Sequence, residues 1–289
     1  VSVVLNSIVA AGVPALLAGL IWLVGGRVPL LTTYRWLLSP LAVGGGYLLA
    51  HILINGMPPF PPTDSAHWLF YFALVGILLG WLAELPASYR WFWGAVVLML
   101  LLWMMVLAFK PLIESGYWMP VRGASILVIL SVATWLLMVL TAPNGEAEEG
   151  AALPFLLATL GGLSAGLIFY NKSASLGQLS GSLGAVVGIG VPLGWLMRGF
   201  RLGRGAVSLT MMLMAMLWAM AYGYAELPAH YLALLYLAGL SLALRRWTPL
   251  VRLHPLARFS LSFLLLLLLV GIPLLLSFQA SMKQNEYLY

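Results

Sequence analysis

Apolar runs of membrane-spanning length recur along this chain, each closed by a proline, a polar turn or a charge. A helix needs about 20 apolar residues to cross a hydrocarbon core. Ten such segments are legible, at 3–25, 36–55, 66–83, 88–109, 121–141, 152–170, 175–197, 206–224, 229–245 and 257–278. Between them lie Arg27 to Pro29, Met57 to Pro62, Glu84-Leu85-Pro86, Lys110-Pro111, Pro143-Asn144-Gly145, Asn171-Lys172, Arg198 to Arg204, Glu226-Leu227-Pro228 and Arg245 to His254. Proline stops or restarts a helix at such places because it lacks a backbone donor. The pattern predicts an all-α integral membrane protein of about ten transmembrane helices. The third and ninth segments are short, so eight or nine crossings is the alternative count.

Composition narrows the classes. The chain has 289 residues, of which 63% are apolar and 8% charged. Soluble domains carry about 25% charged residues, so a water-facing surface is excluded, and the short loops leave no room for a soluble domain. The net charge of +6 comes from 14 Lys and Arg against 8 Asp and Glu. In a soluble chain that balance would suggest nucleic acid. Here the cations sit in short loops, where membrane topology explains them, and no nucleic-acid partner is expected. With no cysteine, disulfides, thiolate metal sites, iron–sulfur clusters and a thiol nucleophile are excluded. The first apolar stretch lacks a basic leader and reads as a retained helix.

Loops after odd-numbered segments hold ten arginines, while even-numbered loops and the C-terminal tail hold Lys110, Arg122, Lys172 and Lys283. By the positive-inside rule the odd loops face the cytoplasm and both termini lie outside, in a bacterial-type plasma (inner) membrane. The acidic stretch Glu146 to Glu149 falls among the cytoplasmic loops, but acidic residues contribute little to orientation.

The strongest internal signal is a repeat. Ala83-Glu84-Leu85-Pro86-Ala87-Ser88-Tyr89 returns as Ala225-Glu226-Leu227-Pro228-Ala229-His230-Tyr231, six of seven positions identical. Lys110-Pro111-Leu112 parallels Thr248-Pro249-Leu250, and Pro120, Arg122 and Ser125 parallel Pro255, Arg258 and Ser260. This divides the chain into a first five-helix repeat (1–142), an acidic connecting loop (143–150) and a second five-helix repeat (151–289). Five crossings per half turn the second half over, giving an inverted repeat of the kind found in secondary transporters. The alternative is a favourable interfacial turn that arose twice.

Few residues could carry chemistry. Glu84 and Glu226 are candidates either for a pair of gates near opposite faces or for caps on the helix that follows each. Tyr47, His51 and Asn55 stand at i, i+4 and i+8, a polar stripe on one helical face that could line a solute path or bond a neighbouring helix. Gln178 and Ser182 are further solute-lining candidates. They flank Gly177, Gly181, Gly184 and Gly188, which share one face and let a second backbone approach closely. Asp64 suits the N-terminal cap of the third helix. With His67, His51 and His230 it shows no metal-ligand spacing, so no metal is assigned. Met211, Met212, Met214, Met216 and Met220 surround the eighth segment and suggest ordinary packing and lipid contact. Trp22, Trp36, Trp68, Trp81, Trp91, Trp93 and Trp118 fall near segment ends, as an aromatic belt would. Lys110 and Lys172 are terminal, which leaves no mid-membrane lysine for a retinal, and no cofactor is expected.

No nucleophile–base–acid arrangement is present, so an enzyme is not expected. In size and layout the chain is similar to the drug/metabolite transporter superfamily. That architectural resemblance implies a small carrier whose halves rock about a midplane cavity near segments two, three, seven and eight. The scarcity of intramembrane charge points to a neutral or apolar solute. The alternative is a non-catalytic subunit of a larger membrane assembly. Beyond the lipid bilayer, the partners to expect are a second copy of the chain or other membrane subunits.

Overall fold

The computed structural model describes residues 2–28, 35–84 and 90–286, with most of the first copy of the repeated turn (85–89) and the Pro29 break lying outside them. The described elements are α1 (Ser2–Arg27), α2 (Arg35–Asn55), α3 (Trp68–Ala83), α4 (Arg90–Glu114), α5 (Pro120–Thr141), the single turn α6 (Asn144–Ala147), α7 (Ala152–Tyr170), α8 (Ala174–Gly188), α9 (Gly190–Leu196), α10 (Arg204–Tyr224), α11 (Ala229–Ser241), α12 (Thr248–Val251), α13 (Pro255–Leu266) and α14 (Ile272–Glu286). Among the described residues nine helical stretches are long and apolar enough to cross a membrane. The protein is an all-α, multi-span integral membrane protein.

The expected ninth segment is the one that falls short. α11 has 13 residues and continues as a 3-10 turn over Leu242–Arg246. It nevertheless joins the two ends of the bundle: Glu226, just before it, pairs with Lys172, and Arg245, at its end, pairs with Glu148.

Pro111 acts differently from its sequence reading, and two prolines inside the apolar segments interrupt their helices. Pro111 lies inside α4, which runs on to Glu114. Near a helix end a missing donor costs one rung of the ladder without stopping it. Pro192 cannot donate back to Gly188, and the seventh segment divides there into α8 and α9. Pro273 cannot donate to Leu269, and a π turn over Leu267–Gly271 re-spaces the ladder just before it.

α1, α2 and α3 alternate in direction. Gly25 of α1 faces Leu38 of α2, and Gly80 of α3 faces Pro40 of α2. α8 runs parallel to α1: Ser182 bonds to Ala10, and Gly19 lies against Ile189, just beyond the end of α8. α10 runs antiparallel to α3 so tightly that a methyl group on Gly205 would overlap the Gly80 carbonyl oxygen. α10 packs against α2, α3, α5 and α8, and 94% of an 18-residue apolar stretch of it is buried. Its methionines Met211, Met212, Met214, Met216 and Met220 all lie inside the bundle, not against lipid. Trp22 and Trp118 are core residues too, Trp22 edge-on to Phe200 and Trp118 stacked on Phe109.

The charges divide by end. The end holding the α3 terminus, the 143–150 loop and the start of α10 collects ten arginines and four glutamates. The opposite end collects four cations and four carboxylates. The whole net charge of +6 therefore belongs to one face, called the basic end below.

Candidate functional site

α2 carries the stripe Tyr47, His51 and Asn55, and helical geometry spaces these residues over about 12 Å from the neutral end inward. Tyr47 and His51 are fully buried. His51 lies in an aromatic nest, with ring centroids 5.7 Å from Phe70, 6.4 Å from His67 and 6.5 Å from Tyr47. The Tyr47 hydroxyl, both His51 ring nitrogens and the Asn55 side-chain nitrogen are buried without a hydrogen-bond partner. Buried polar groups are nearly always satisfied. Four unmet groups on a single helical face are therefore a concentrated cost.

The second pair of candidates occupies opposite ends of α10, in unlike surroundings. Glu84 closes α3, and its Oε1 accepts from the Gly205 amide at 2.7 Å. It thus caps the first turn of α10 from across the bundle. Burial raises its carboxyl above the ordinary value, outweighing the Gly205 amide and the nearby Arg204. Glu226 instead pairs with Lys172 at 2.6 Å, both side chains being largely exposed. Glu226 and Lys172 both have left-handed backbone, φ 55 and 71. At Lys172 this reverses the chain after α7, with the Ser173 amide returning to the Ile168 carbonyl.

The glycine stripe of α8 faces α7. Gly177 meets Ala165 and Phe169, Gly181 meets Ala165, Gly184 meets Gly161, and Gly188 meets Ala158. On the same side Ser180 bonds Ser164 of α7 at 2.9 Å, while Ser182 donates to the Ala10 carbonyl of α1 at 3.0 Å. Ser182 is thereby a tie between α1 and α8; Gln178 is half-buried on the same helix. Asp64 accepts from the Ala66 amide at the start of the turn before α3. Among the described residues no group of three His, Cys, Asp or Glu side chains could hold a metal ion.

Sequence reasoning missed the connector's partners. Glu146 pairs with Arg204 at 3.2 Å, Glu149 with Arg201, and Glu148 with Arg245 through two 2.6 Å bonds. Backbone bonds reinforce them, from Gly203 to Gly145 and from Gly150 to Phe200. The signal was present as three glutamates placed on the arginine-rich side. No protein family, curated protein or solved structure matches the chain.

Proposed function

We propose that this protein is a small, non-enzymatic carrier of neutral solutes, built from an inverted pair of five-crossing halves (1–142 and 151–289) joined by the acidic loop 143–150. The positive-inside rule places the basic end in the cytoplasm and both termini outside, in a bacterial-type inner membrane. The observation that supports the reading best is the buried stripe Tyr47, His51 and Asn55, whose polar atoms lack partners. Side chains kept for stability are satisfied; side chains kept to bind are tolerated at a cost. None of the three is a carboxylate or an ammonium, which suits an uncharged hydrogen-bonding solute. Glu84 and the connector ion pairs hold the basic end together while α2, α3, α8 and α10 provide the contact about which the halves rock.

The test starts with uncharged solutes screened for thermal stabilisation of the purified chain, followed by uptake of the hits into proteoliposomes. Tyr47→Phe, His51→Phe and Asn55→Leu should each abolish saturable uptake while leaving the melting temperature unchanged or raised. An unsatisfied buried group costs about 1–3 kcal/mol, so its removal relieves the fold. Intact uptake, or variants that unfold by a comparable amount, would overturn the assignment.

One observation favours a second reading, an accessory subunit of a larger assembly. Only 22% of the residues in an 18-residue apolar stretch of α13 and α14 are buried, and the pair exposes Leu264, Leu268, Ile272 and Leu275. Lipid covers this flank in a carrier, and a neighbouring helix covers it in an assembly. Extraction in mild detergent with a mass census of co-purifying chains separates the two.

A further inference from the structure

Between α3, α4, α5 and α10, towards the basic end, lies a cavity of about 340 Å³. Its walls are Leu79 and Leu82 of α3, Trp93 and Val97 of α4, and Trp135 and Met138 of α5. At its polar end stand Arg204 and Ser208, one turn apart on α10. The size falls within the range of about 300–1000 Å³ usual for small-molecule sites. Walls of this kind give water too few partners to fill the space. Hydrocarbon fits them, and the bilayer supplies it.

The polar end selects what the hydrocarbon carries. The Arg204 side chain is 14% exposed, and its Nη1 engages Glu146 at 3.2 Å. A guanidinium has five donors in a fixed fork that matches phosphate. Ser208 is buried and adds a hydroxyl on the same side. The cavity also lies at the end that carries the whole net charge of +6, where anionic groups gather. We propose that this cavity is a phospholipid site, in which one acyl chain lies between Trp93 and Trp135 while the phosphate takes donors of Arg204 and the Ser208 hydroxyl. The site is separate from the α2 stripe and does not depend on the carrier reading.

The experiment is native mass spectrometry of the purified chain in detergent, titrated in parallel with phosphatidylglycerol, diacylglycerol and a free fatty acid. The wild type should retain one discrete, saturable phospholipid adduct. Val97→Phe, which fills the cavity, should lose it, and Ser208→Ala should weaken it several-fold. Arg204→Gln should weaken phospholipid binding about tenfold and leave diacylglycerol unaffected. Because Arg204→Gln also removes an ion pair, its melting temperature is read alongside, and Val97→Phe and Ser208→Ala keep the test decisive if it fails to fold. Equal adducts in wild type and variants would reduce the site to annular lipid and overturn the proposal. Tighter binding of the fatty acid than of phosphatidylglycerol would overturn it as well.

Discussion

α10 and the C-terminal pair α13–α14 are both long apolar helical stretches, yet they are opposites. Over an 18-residue apolar stretch of each, 94% of the α10 residues are buried in protein against 22% of those in α13–α14. The more buried of the two is the less apolar, and across the nine candidate spans the most apolar tend to be the least buried. In water the ranking would be reversed. In a bilayer the lipid tails are as apolar as leucine, so burial of hydrophobic surface no longer decides which helix goes inside. What decides is how closely backbones approach. α10 offers Gly205, Ala206, Ser208, Ala215 and Ala219, with flexible methionines filling the gaps between them. α13 offers a run of leucines that makes a good lipid face and a poor close-packing one.

The largest effect that could break this comparison is Gly205→Leu. The Gly80 carbonyl oxygen and the Pro40 ring stand 2.3 and 2.6 Å from where a Cβ would sit, so no rotamer of leucine fits, and no folded protein should be recovered from detergent extracts. Recovery of a stable variant would mean that α10 is not clamped against α3. The buried ion pair comes next. Glu148→Gln leaves Arg245, a side chain only 4% exposed, without its fork, at a cost of about 3–5 kcal/mol. Lys172→Ala removes a pair open to solvent at the opposite end and should cost about 0–1 kcal/mol. Denaturant titration of both variants reads the contrast directly.

Much of the fold was legible because the bilayer imposes a single length scale. Segment positions, the alternation of direction and the arginine-rich face all follow from run length and loop charge. Less legible was rank within the bundle. The five methionines of α10 spread around its whole circumference, which looks the same for a helix bathed in lipid and for one enclosed by protein. Trp22 and Trp118 stand near segment ends, where an interface belt and a core position cannot be told apart by sequence distance alone. The polar stripe of α2 could be read because its i, i+4, i+8 spacing is local. The partners of Glu84 were out of reach, since its bond to Gly205 spans 121 residues. Glu84 and Glu226 hold the same place in the two copies of the repeated turn but have different partners, because contacts between distant segments are not encoded in either turn.

A milder pair of substitutions tests the periphery. Met216→Ala in α10 leaves a cavity with protein on every side, worth about 2–5 kcal/mol. Leu275→Ala on α14 opens a space that lipid tails can fill and should stay within about 0.5 kcal/mol. A loss at Leu275 as large as that at Met216 would show that another protein, and not lipid, covers α14. That result would favour the assembly over the solitary carrier.

The smallest effect concerns the foot of α10. Burial holds the Glu84 carboxyl above its ordinary value of 4.5. A carboxyl raised in the folded state contributes stability that is complete below its unfolded pKa and is lost as pH rises through the folded one. Glu84→Gln keeps an oxygen for the Gly205 amide but cannot ionise. Its melting temperature should therefore gain on the wild type as pH rises from 4.5 towards neutrality, and the two curves should converge at the acid end. Glu84→Ala, which loses the cap altogether, should lie below both by about 1 kcal/mol. Parallel curves for wild type and glutamine variant would mean that water reaches this carboxyl, and that the basic end of α10 is more open than its middle.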